Sequence, residues 1–506
     1  MKRLFYCKGF LFLFLLNCLQ ADKSAFDFST PAGGIFFISG ILSSVNSSGS
    51  GSSVSSPTIT YSSGTSYNFF AGSAISPISP TLTGTVIGCS VSPSLPAGLS
   101  ISSGCVISGT ASSWSASTIY TITATASGGT ASVSITLRVQ SSTAVRVYGQ
   151  LGSFTSSTAN NGGSPSANNL TNAFGYTAAD SGGNLYVADY QNNRVLYYPS
   201  GSTTATRVYG QAGSFTSSAS GTSATALFYP SGIAVDSAGN LYAAEASNHR
   251  VLYFPSGSTT ATRVYGQNGS YTCTAGAQNN NGSCVSGTPS ANNLNNPYGI
   301  ALDSADNLYV ADSGNHRVLY YPSGSTTATR VYGQLGSFTS NTANNGGSPS
   351  ANNLTNPSGA AVDSSGNLYI TDRGNSRVLY YPSGSTTATR VYGQLGSFTS
   401  NTVNNGGASA NTLNNPLGIT LDKTGNLYVA DYYNNRVLYY IPGSTTASRV
   451  YGQFGSFTST VGGNDGNGST LAPSASNLYY PTSVSIDPSG NLYIAEQVDN
   501  RVLLFY

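Results

Sequence analysis

Short apolar and aromatic runs, bounded by Gly, Pro, Asn and Ser, recur along this chain at a spacing of roughly sixty residues from about residue 146 onward. In 368–372 (LYITD) and 377–381 (RVLYY) the apolar groups occupy both parities, the pattern of a strand covered on both faces. No stretch of the body shows an apolar period of 3.6 residues, so almost no helix is expected. The 35 Tyr, with many Val and Ile, add β-propensity.

Arg194, Arg250, Arg317, Arg377, Arg436 and Arg501 each open an Arg-Val-Leu run and so count six copies. Within one copy the pattern predicts strand A over 359–363, a Ser-Ser-Gly-Asn turn, strand B over 368–372 and a hairpin. Strand C over 377–381, a Pro-Ser-Gly turn and strand D over 390–394 follow. Repeats of this length with four short strands build blades around an axis. The phrase Arg-Val-Tyr-Gly-Gln also occurs at 146–150, before the first complete unit, and the last unit stops at Tyr506 after its third strand. Residues 146–150 are therefore expected to supply the outer strand of the last blade, pairing an otherwise open edge.

Between 57 and 140 the pattern changes to alternating strands without a long repeat. Leu95, Pro96, Gly98 and Leu99, then Ile107, Ser108, Gly109 and Thr110, then a strand with Tyr120, resemble the signature of the bacterial putative-immunoglobulin family. That resemblance implies a β-sandwich, commonly a spacer or adhesive module on exported proteins, in which Cys89 and Cys105 would tie neighbouring strands. The repeated phrases Pro-x-Gly-Ile/Val-Ala-Val/Leu-Asp, Gly-Asn-Leu-Tyr-Val-Ala-Asp and Asn-x-Arg-Val resemble the NHL repeat, which implies a six-bladed propeller. Two copies depart from it: the first reads Ala173-Phe174-Gly175-Tyr176, and the last has Ser483 in place of glycine. The fold class expected is all-β, an Ig-like sandwich at 57–140 followed by a six-bladed NHL-type propeller at 141–506, closed by an N-terminal strand.

Lys2 and Arg3 precede a short apolar core at 10–16, the pattern of an export signal over 1–18. Cys18, after Leu15-Leu16-Asn17, resembles the lipidated cysteine of a bacterial lipobox, with Asn17 departing from the usual small residue; simple cleavage near Ala21, or an incidental cysteine, is the alternative. Residues 19–56 are Ser/Gly-rich and read as a tether; the apolar patch at 35–42 is too short to span a bilayer. Setting aside Cys7 and Cys18, Cys89 pairs most simply with Cys105 and Cys273 with Cys284, each within one module. Disulfides imply an oxidising compartment, periplasm or cell surface.

Charge then narrows the function. Only 7% of residues are charged and the net charge is +2, with no basic run of the kind nucleic-acid binding needs. Asp189, Glu245, Asp312, Asp372, Asp431 and Glu496 close strand B, and Arg194, Arg250, Arg317, Arg377, Arg436 and Arg501 sit five residues later. Across a hairpin that spacing sets acid against arginine, a structural brace rather than a catalytic centre. Asp180, Asp236, Asp303, Asp363, Asp422 and Asp487 open the A–B turn and are expected to cap its amides. His249 and His316 occupy the slot filled elsewhere by Asn193, Ser376, Asn435 and Asn500, which makes them hairpin residues. Neither a catalytic set, a metal site nor a cofactor is expected, and the calcium-like run at 464–468 reads as an ordinary turn. Phe154, Phe338 and Phe398, on the crossovers between blades, are expected to plug the blade interfaces.

Comparing the copies singles out one face. The A–B and C–D turns are nearly uniform, whereas the B–C hairpin tips, on the face that also carries the long crossovers, vary: Tyr190-Gln191, Ala246-Ser247, Ser313-Gly314, Arg373-Gly374, Tyr432-Tyr433 and Gln497-Val498. Loops on a rigid scaffold are where recognition concentrates. Tyr190, Gln191, Arg373, Tyr432 and Tyr433 are the binding residues this predicts. The function expected is a lipid-anchored cell-envelope binding or scaffold protein meeting a protein or glycan, not nucleic acid. An envelope lyase or hydrolase and a purely structural or adhesive protein are the alternatives.

Overall fold

The computed structural model describes residues 56–62, 65–273, 279–463 and 472–506. The expected signal over 1–18, Cys18, nearly all of the tether and the run at 464–468 lie outside them. Ser56–Tyr506 is one compact unit, built from strands and from 3-10 turns of three or four residues. No helix among the described residues is long and apolar enough to cross a membrane.

This unit begins with a sandwich. Its larger sheet runs in the order Ser66–Phe70, Gly129–Gln140, Ser115–Ala126, Val86–Ser92, with the first pair parallel. Opposite it lie the pairs Leu99–Ile101 with Ile107–Gly109 and Thr58–Thr60 with Thr81–Thr83. Ile59, Tyr61, Ile107, Tyr120, Ile122, Ile135 and Leu137 fill the space between. The two glycine phrases have a steric cause: a Cβ on Gly98 (φ +90°) would stand 2.0 Å from the Thr110 carbonyl oxygen, and one on Gly109 (φ +124°) 2.2 Å from that of Gly98. The Cys89–Cys105 disulfide is present, but it does not tie neighbouring strands of one sheet. Cys89 lies on Val86–Ser92 of the larger sheet, while Cys105 lies in the turn after Leu99–Ile101, so the bond staples one layer to the other. Tyr61, donating to the Cys105 carbonyl at 2.7 Å, fixes the same turn from beneath.

Six four-stranded antiparallel sheets follow, at 177–209, 230–266, 297–332, 357–392, 419–451 and 481–505; they are blades 1 to 6 in that order. The last takes its fourth strand from Arg146–Tyr148, with Val502 opposite Tyr148, Leu503 opposite Val147 and Leu504 opposite Arg146. In blade 4 the strands are Pro357–Val362, Leu368–Asp372, Arg377–Tyr381 and Arg390–Tyr392. Strand D is shorter than its sequence pattern, because Gly393 at φ +80° turns the chain out of the extended region and Gln394 follows at φ +50°.

An apolar cluster seals each junction. Tyr186, Val195 and Tyr209 of blade 1 pack with Ile233, Leu241 and Phe254 of blade 2, and the series continues to Tyr493 and Val502 of blade 6 against Leu185, Val187 and Tyr198 of blade 1. Phe154, Phe215, Phe338, Phe398 and Phe457 pack half-buried against these clusters, as expected for crossover phenylalanines. The two copies that depart from the repeat meet where the ring closes: the Thr177 amide donates to Ser483 Oγ at 3.0 Å, and Thr177 Oγ1 lies 2.8 Å from Ser485 Oγ.

The sandwich is docked on blades 5 and 6 rather than held apart from them. Phe70 lies under the Arg449 guanidinium at 3.3 Å and edge-on to Tyr439. In blades 1 to 4 the corresponding arginines, Arg207, Arg263, Arg330 and Arg390, stack on Tyr197, Tyr253, Tyr320 and Tyr380, the equivalents of Tyr439, whereas Arg449 lies over Phe70 and Tyr451. Arg138 donates to the Ser489 carbonyl at 2.7 Å and to Asn491 Oδ1 at 3.1 Å, and Trp114 packs on Tyr506.

Candidate functional site

The charged residues of the repeat brace it. Arg194–Asp189, Arg317–Asp312 and Arg377–Asp372 are each 2.7 Å apart, Arg436–Asp431 2.8 Å, Arg250–Glu245 2.5 Å and Arg501–Glu496 2.7 Å, all buried. Sequence reasoning missed how far each brace reaches. Arg194 also donates to the carbonyls of Phe215, Ser166 and Asn169, and Asp189 accepts from the Thr171 amide and Asn192. One ion pair thus joins a hairpin to the crossovers on either side, satisfying the hydrogen-bonding capacity that a buried charge requires. Asp363 accepts from the amides of Ser365 and Asn367, the turn-capping role expected of its series. His249 Nδ1 accepts from the Asn296 amide at 2.8 Å and His316 Nδ1 from the Asn356 amide at 3.0 Å, as Asn193 Oδ1 does from Tyr229. Burial lowers the pKa of His249 to about 4, so at neutral pH it is an acceptor.

Blade 6 differs from the rest. Where the other five place Asn192, Asn248, Asn315, Asn375 and Asn434 beside the acid, it has Asp499, 3.2 Å from the Arg501 that also serves Glu496. Burial raises the Glu496 pKa to about 8; Arg501 opposes the shift and Asp499 adds to it. Burial likewise raises Asp499, again opposed by Arg501.

Hairpin tips of blades 1, 4, 5 and 6 meet at the mouth of the axis, around a residue the sequence had shown only as a departure from the repeat. Phe174 lies edge-on to Tyr190 at 5.4 Å, to Tyr298 at 5.9 Å and to Tyr432 at 6.2 Å. Tyr190 stacks on Tyr229 at 4.6 Å and Tyr432 on Tyr480 at 4.8 Å; Tyr433, 42% exposed, closes on both Tyr432 and Tyr480. The Tyr432 hydroxyl is hydrogen-bonded to Gln497. Of the five predicted binding residues, Tyr190, Tyr432 and Tyr433 join this cluster, and Arg373 lies close enough for its charge to act on Tyr298 and Tyr432. Gln191 is exposed beside Tyr190 and takes no part in the ring contacts.

The position of Phe174 is occupied in blades 2 to 6 by Ser231, Tyr298, Ser358, Leu417 and Thr482, so bulky and small residues alternate around the axis. Ser231 Oγ and Ser358 Oγ donate to the carbonyls of Pro297 and Pro416, and Thr482 Oγ1 to that of Ala173, each linking one inner strand to the next. Below this layer Tyr176 crosses the axis: its buried hydroxyl donates to the Ser358 carbonyl at 2.6 Å. Beyond it an axial well of about 250 Å³ is lined by all six inner strands. The mouth is therefore a cup with a floor.

Among the described residues the cup holds one cation without an ion-pair partner. Arg373 is half-buried, and no carboxylate among the described residues forms an ion pair with it. Burial pushes the phenols of Tyr298, Tyr432 and Tyr176 upward, and the Arg373 charge opposes the shift in all three. Among the described residues, no three His, Cys, Asp or Glu side chains converge as a metal would require. The Cys273–Cys284 disulfide closes the long crossover on this same face, and both disulfides suit an extracellular or periplasmic protein.

No curated protein sequence matches the chain. Among solved structures it is similar to a protein of unknown function from Bacteroides thetaiotaomicron (16% identity, 88% of this chain and 97% of that one, TM-score 0.49). It is also similar to virginiamycin B lyase from Staphylococcus aureus (10% identity, 82% and 99%, TM-score 0.38) and to a gluconolactonase from Xanthomonas campestris (13% identity, 72% and 96%, TM-score 0.38). The family model of the Putative Ig domain matches residues 43–140, and that of the NHL repeat matches 229–254, 294–321, 354–381 and 413–440. The first and last copies, whose departures meet at the ring junction, are the two the repeat model does not match, and the chain carries four NHL repeats and one Ig-type domain over the matched residues.

Proposed function

We propose that this chain is an exported binding or scaffold protein of the bacterial cell envelope, anchored through a lipid on Cys18, that seats a protein or glycan on the varied face of its propeller. It works by binding rather than turnover. The observation that carries this reading is the floored cup: Tyr190, Arg373, Tyr432, Tyr433 and Gln497, which differ between copies, converge on it, while the opposite face repeats the same turns. Half-buried Phe174, Tyr190, Tyr298 and Tyr480 and exposed Tyr433, packed on buried Tyr432 around an arginine, have the composition of binding hot spots. The sandwich docks directly on the propeller, so Phe70, Arg138 and Trp114 set how the cup is presented relative to it.

The test is crosslinking in intact cells, with the wild-type chain compared with a variant carrying R373Q, Y432A and Y433A. Under this reading the wild type acquires a defined adduct and the variant loses most of it, while both fold and export alike. An adduct that survives the triple change supports a purely adhesive surface, and turnover abolished by a chelator supports an enzyme. Metabolic labelling with a fatty acid, present in the wild type and absent from C18S, tests the anchor separately.

A further inference from the structure

Two positions of the repeat, far apart in sequence, change together. The first residue of the hairpin tip is Tyr190, Ala246, Ser313, Arg373, Tyr432 or Gln497. The left-handed residue that leads into the following blade is, in the same order, Tyr229, Asn296, Asn356, Asn415, Tyr480 or Asn172, with φ between +48° and +53°. Tyrosine follows tyrosine, and otherwise the residue is asparagine. Asparagine visits this region readily, whereas a bulky L-residue there is strained by about 1–2 kcal/mol. Four copies are built with asparagine, so the ring itself does not require the strain. What Tyr229 and Tyr480 gain is their stacking on Tyr190 and Tyr432, at interplanar angles of 7° and 28°. Backbone strain that the scaffold does not need marks a site where shape is used.

The two stacked pairs stand on either side of Phe174, at the junctions of blades 1 with 2 and 5 with 6, and Arg373 comes from blade 4. The cup thus offers aromatic surface on Tyr190, Tyr229, Tyr433 and Tyr480 backed by buried Tyr432, one guanidinium without a carboxylate partner among the described residues, and hydroxyl and amide groups on Tyr433, Gln497 and Asn172. A pyranose ring matches this set. Its C–H face carries partial positive charge suited to the negative face of an aromatic ring, its hydroxyls suit the polar rim, and a ring carboxylate suits a guanidinium fork. A nucleic acid needs several cations along its phosphates, and an acidic peptide needs more than one; neither fits a mouth where Arg373 is the one unpaired cation among the described residues. We propose that the cup binds an acidic glycan, with a sugar carboxylate on Arg373 and neighbouring sugar rings against the Tyr432–Tyr480 and Tyr190–Tyr229 pairs. This rests on the reading of the varied face as the binding face.

The test is calorimetric titration of the full chain with oligogalacturonate, alginate and hyaluronan oligosaccharides, with the methyl-esterified form of each and with a poly-glutamate peptide. At least one acidic oligosaccharide should bind, esterification and R373Q should each weaken it tenfold or more, and Y480N, which restores the ordinary residue of the repeat, should weaken it several-fold without lowering the melting temperature. Equal binding of the esterified form, indifference to R373Q, tighter binding of the peptide, or no binding by any oligosaccharide would each overturn the proposal. If the oligosaccharides fail while the cellular adduct still depends on Tyr432 and Tyr433, the ligand class is wrong and the binding face stands. If both fail, the face is wrong too.

Discussion

Tyr176 on blade 1 and Ser358 on blade 4 meet across the axis of the ring, the tyrosine hydroxyl donating to the serine carbonyl at 2.6 Å. The residue of blade 4 equivalent to Tyr176 is Ala360, where blades 2, 3, 5 and 6 have Ile233, Ile300, Ile419 and Val484, so the largest side chain of this layer faces the smallest. The floor of the cup is one matched exchange between opposite blades.

Tyr176→Ile should therefore destabilise by about 2–4 kcal/mol, through the void it leaves and the hydrogen bond it removes. Ala360→Ile alone overfills the same space and should cost roughly 1–3 kcal/mol. The double variant should be more stable than the sum of the two losses predicts by at least about 1 kcal/mol, read from a double-mutant cycle in urea. Additive losses would mean that the two sites do not share the space.

Removing one partner of a buried brace leaves a charge without compensation. Arg317→Leu strands Asp312 and the carbonyls of Phe338, Ser290 and Asn293, and should cost roughly 3–5 kcal/mol. Arg317→Lys should recover little, since a single ammonium cannot span an acid and three carbonyls. Denaturant midpoints of the two variants against wild type check this.

Blade 6 should carry a pH dependence to which Asp499 adds, on top of the burial that also raises Asp189, Glu245 and Asp431 in blades 1, 2 and 5. The folded chain holds Glu496 protonated up to about pH 8, above its ordinary value of 4.5, so it binds a proton that the unfolded chain releases. Stability from this group is present below about pH 4.5 and is lost as the pH rises through about 8. Asp499→Asn, which restores the amide of the other copies, should stabilise by about 1 kcal/mol or more at pH 8, with a smaller gain at pH 5. Urea unfolding at the two pH values measures the difference.

The interface with the sandwich turns on Phe70 beneath Arg449. Phe70→Ala should leave both domains folded and free the sandwich to move, which small-angle scattering would register as a larger radius of gyration and proteolysis as faster cleavage near 141–143.

Much of this was legible in the sequence because the repeat is its own control. The Arg–acid spacing, the Arg146 strand beside Leu504 and the hairpin tips all follow from comparing copies within one chain. Phe174 and Tyr176 were visible only as departures, since nothing local says that a side chain will cross an axis to a blade three repeats away. Tyr229 and Tyr480 sit on crossovers, where the left-handed backbone that gives them meaning leaves no pattern of polarity. The docking of Phe70 and Arg138 was not legible, because a contact between two separately patterned domains has no period. The Cys89–Cys105 bond could be paired by proximity, but which layers it joins depends on how the sheets face.

Whether the partner meets the varied mouth or the uniform face can be decided by photocrosslinking from single sites of the full chain in living cells. A photoreactive residue at Tyr433, on the mouth, is compared with one at Thr203, exposed in the Pro-Ser-Gly turn of the opposite face. A discrete adduct is expected from position 433 and none from 203. Adducts of equal yield from both, or from 203 alone, would show that the mouth is not the binding face.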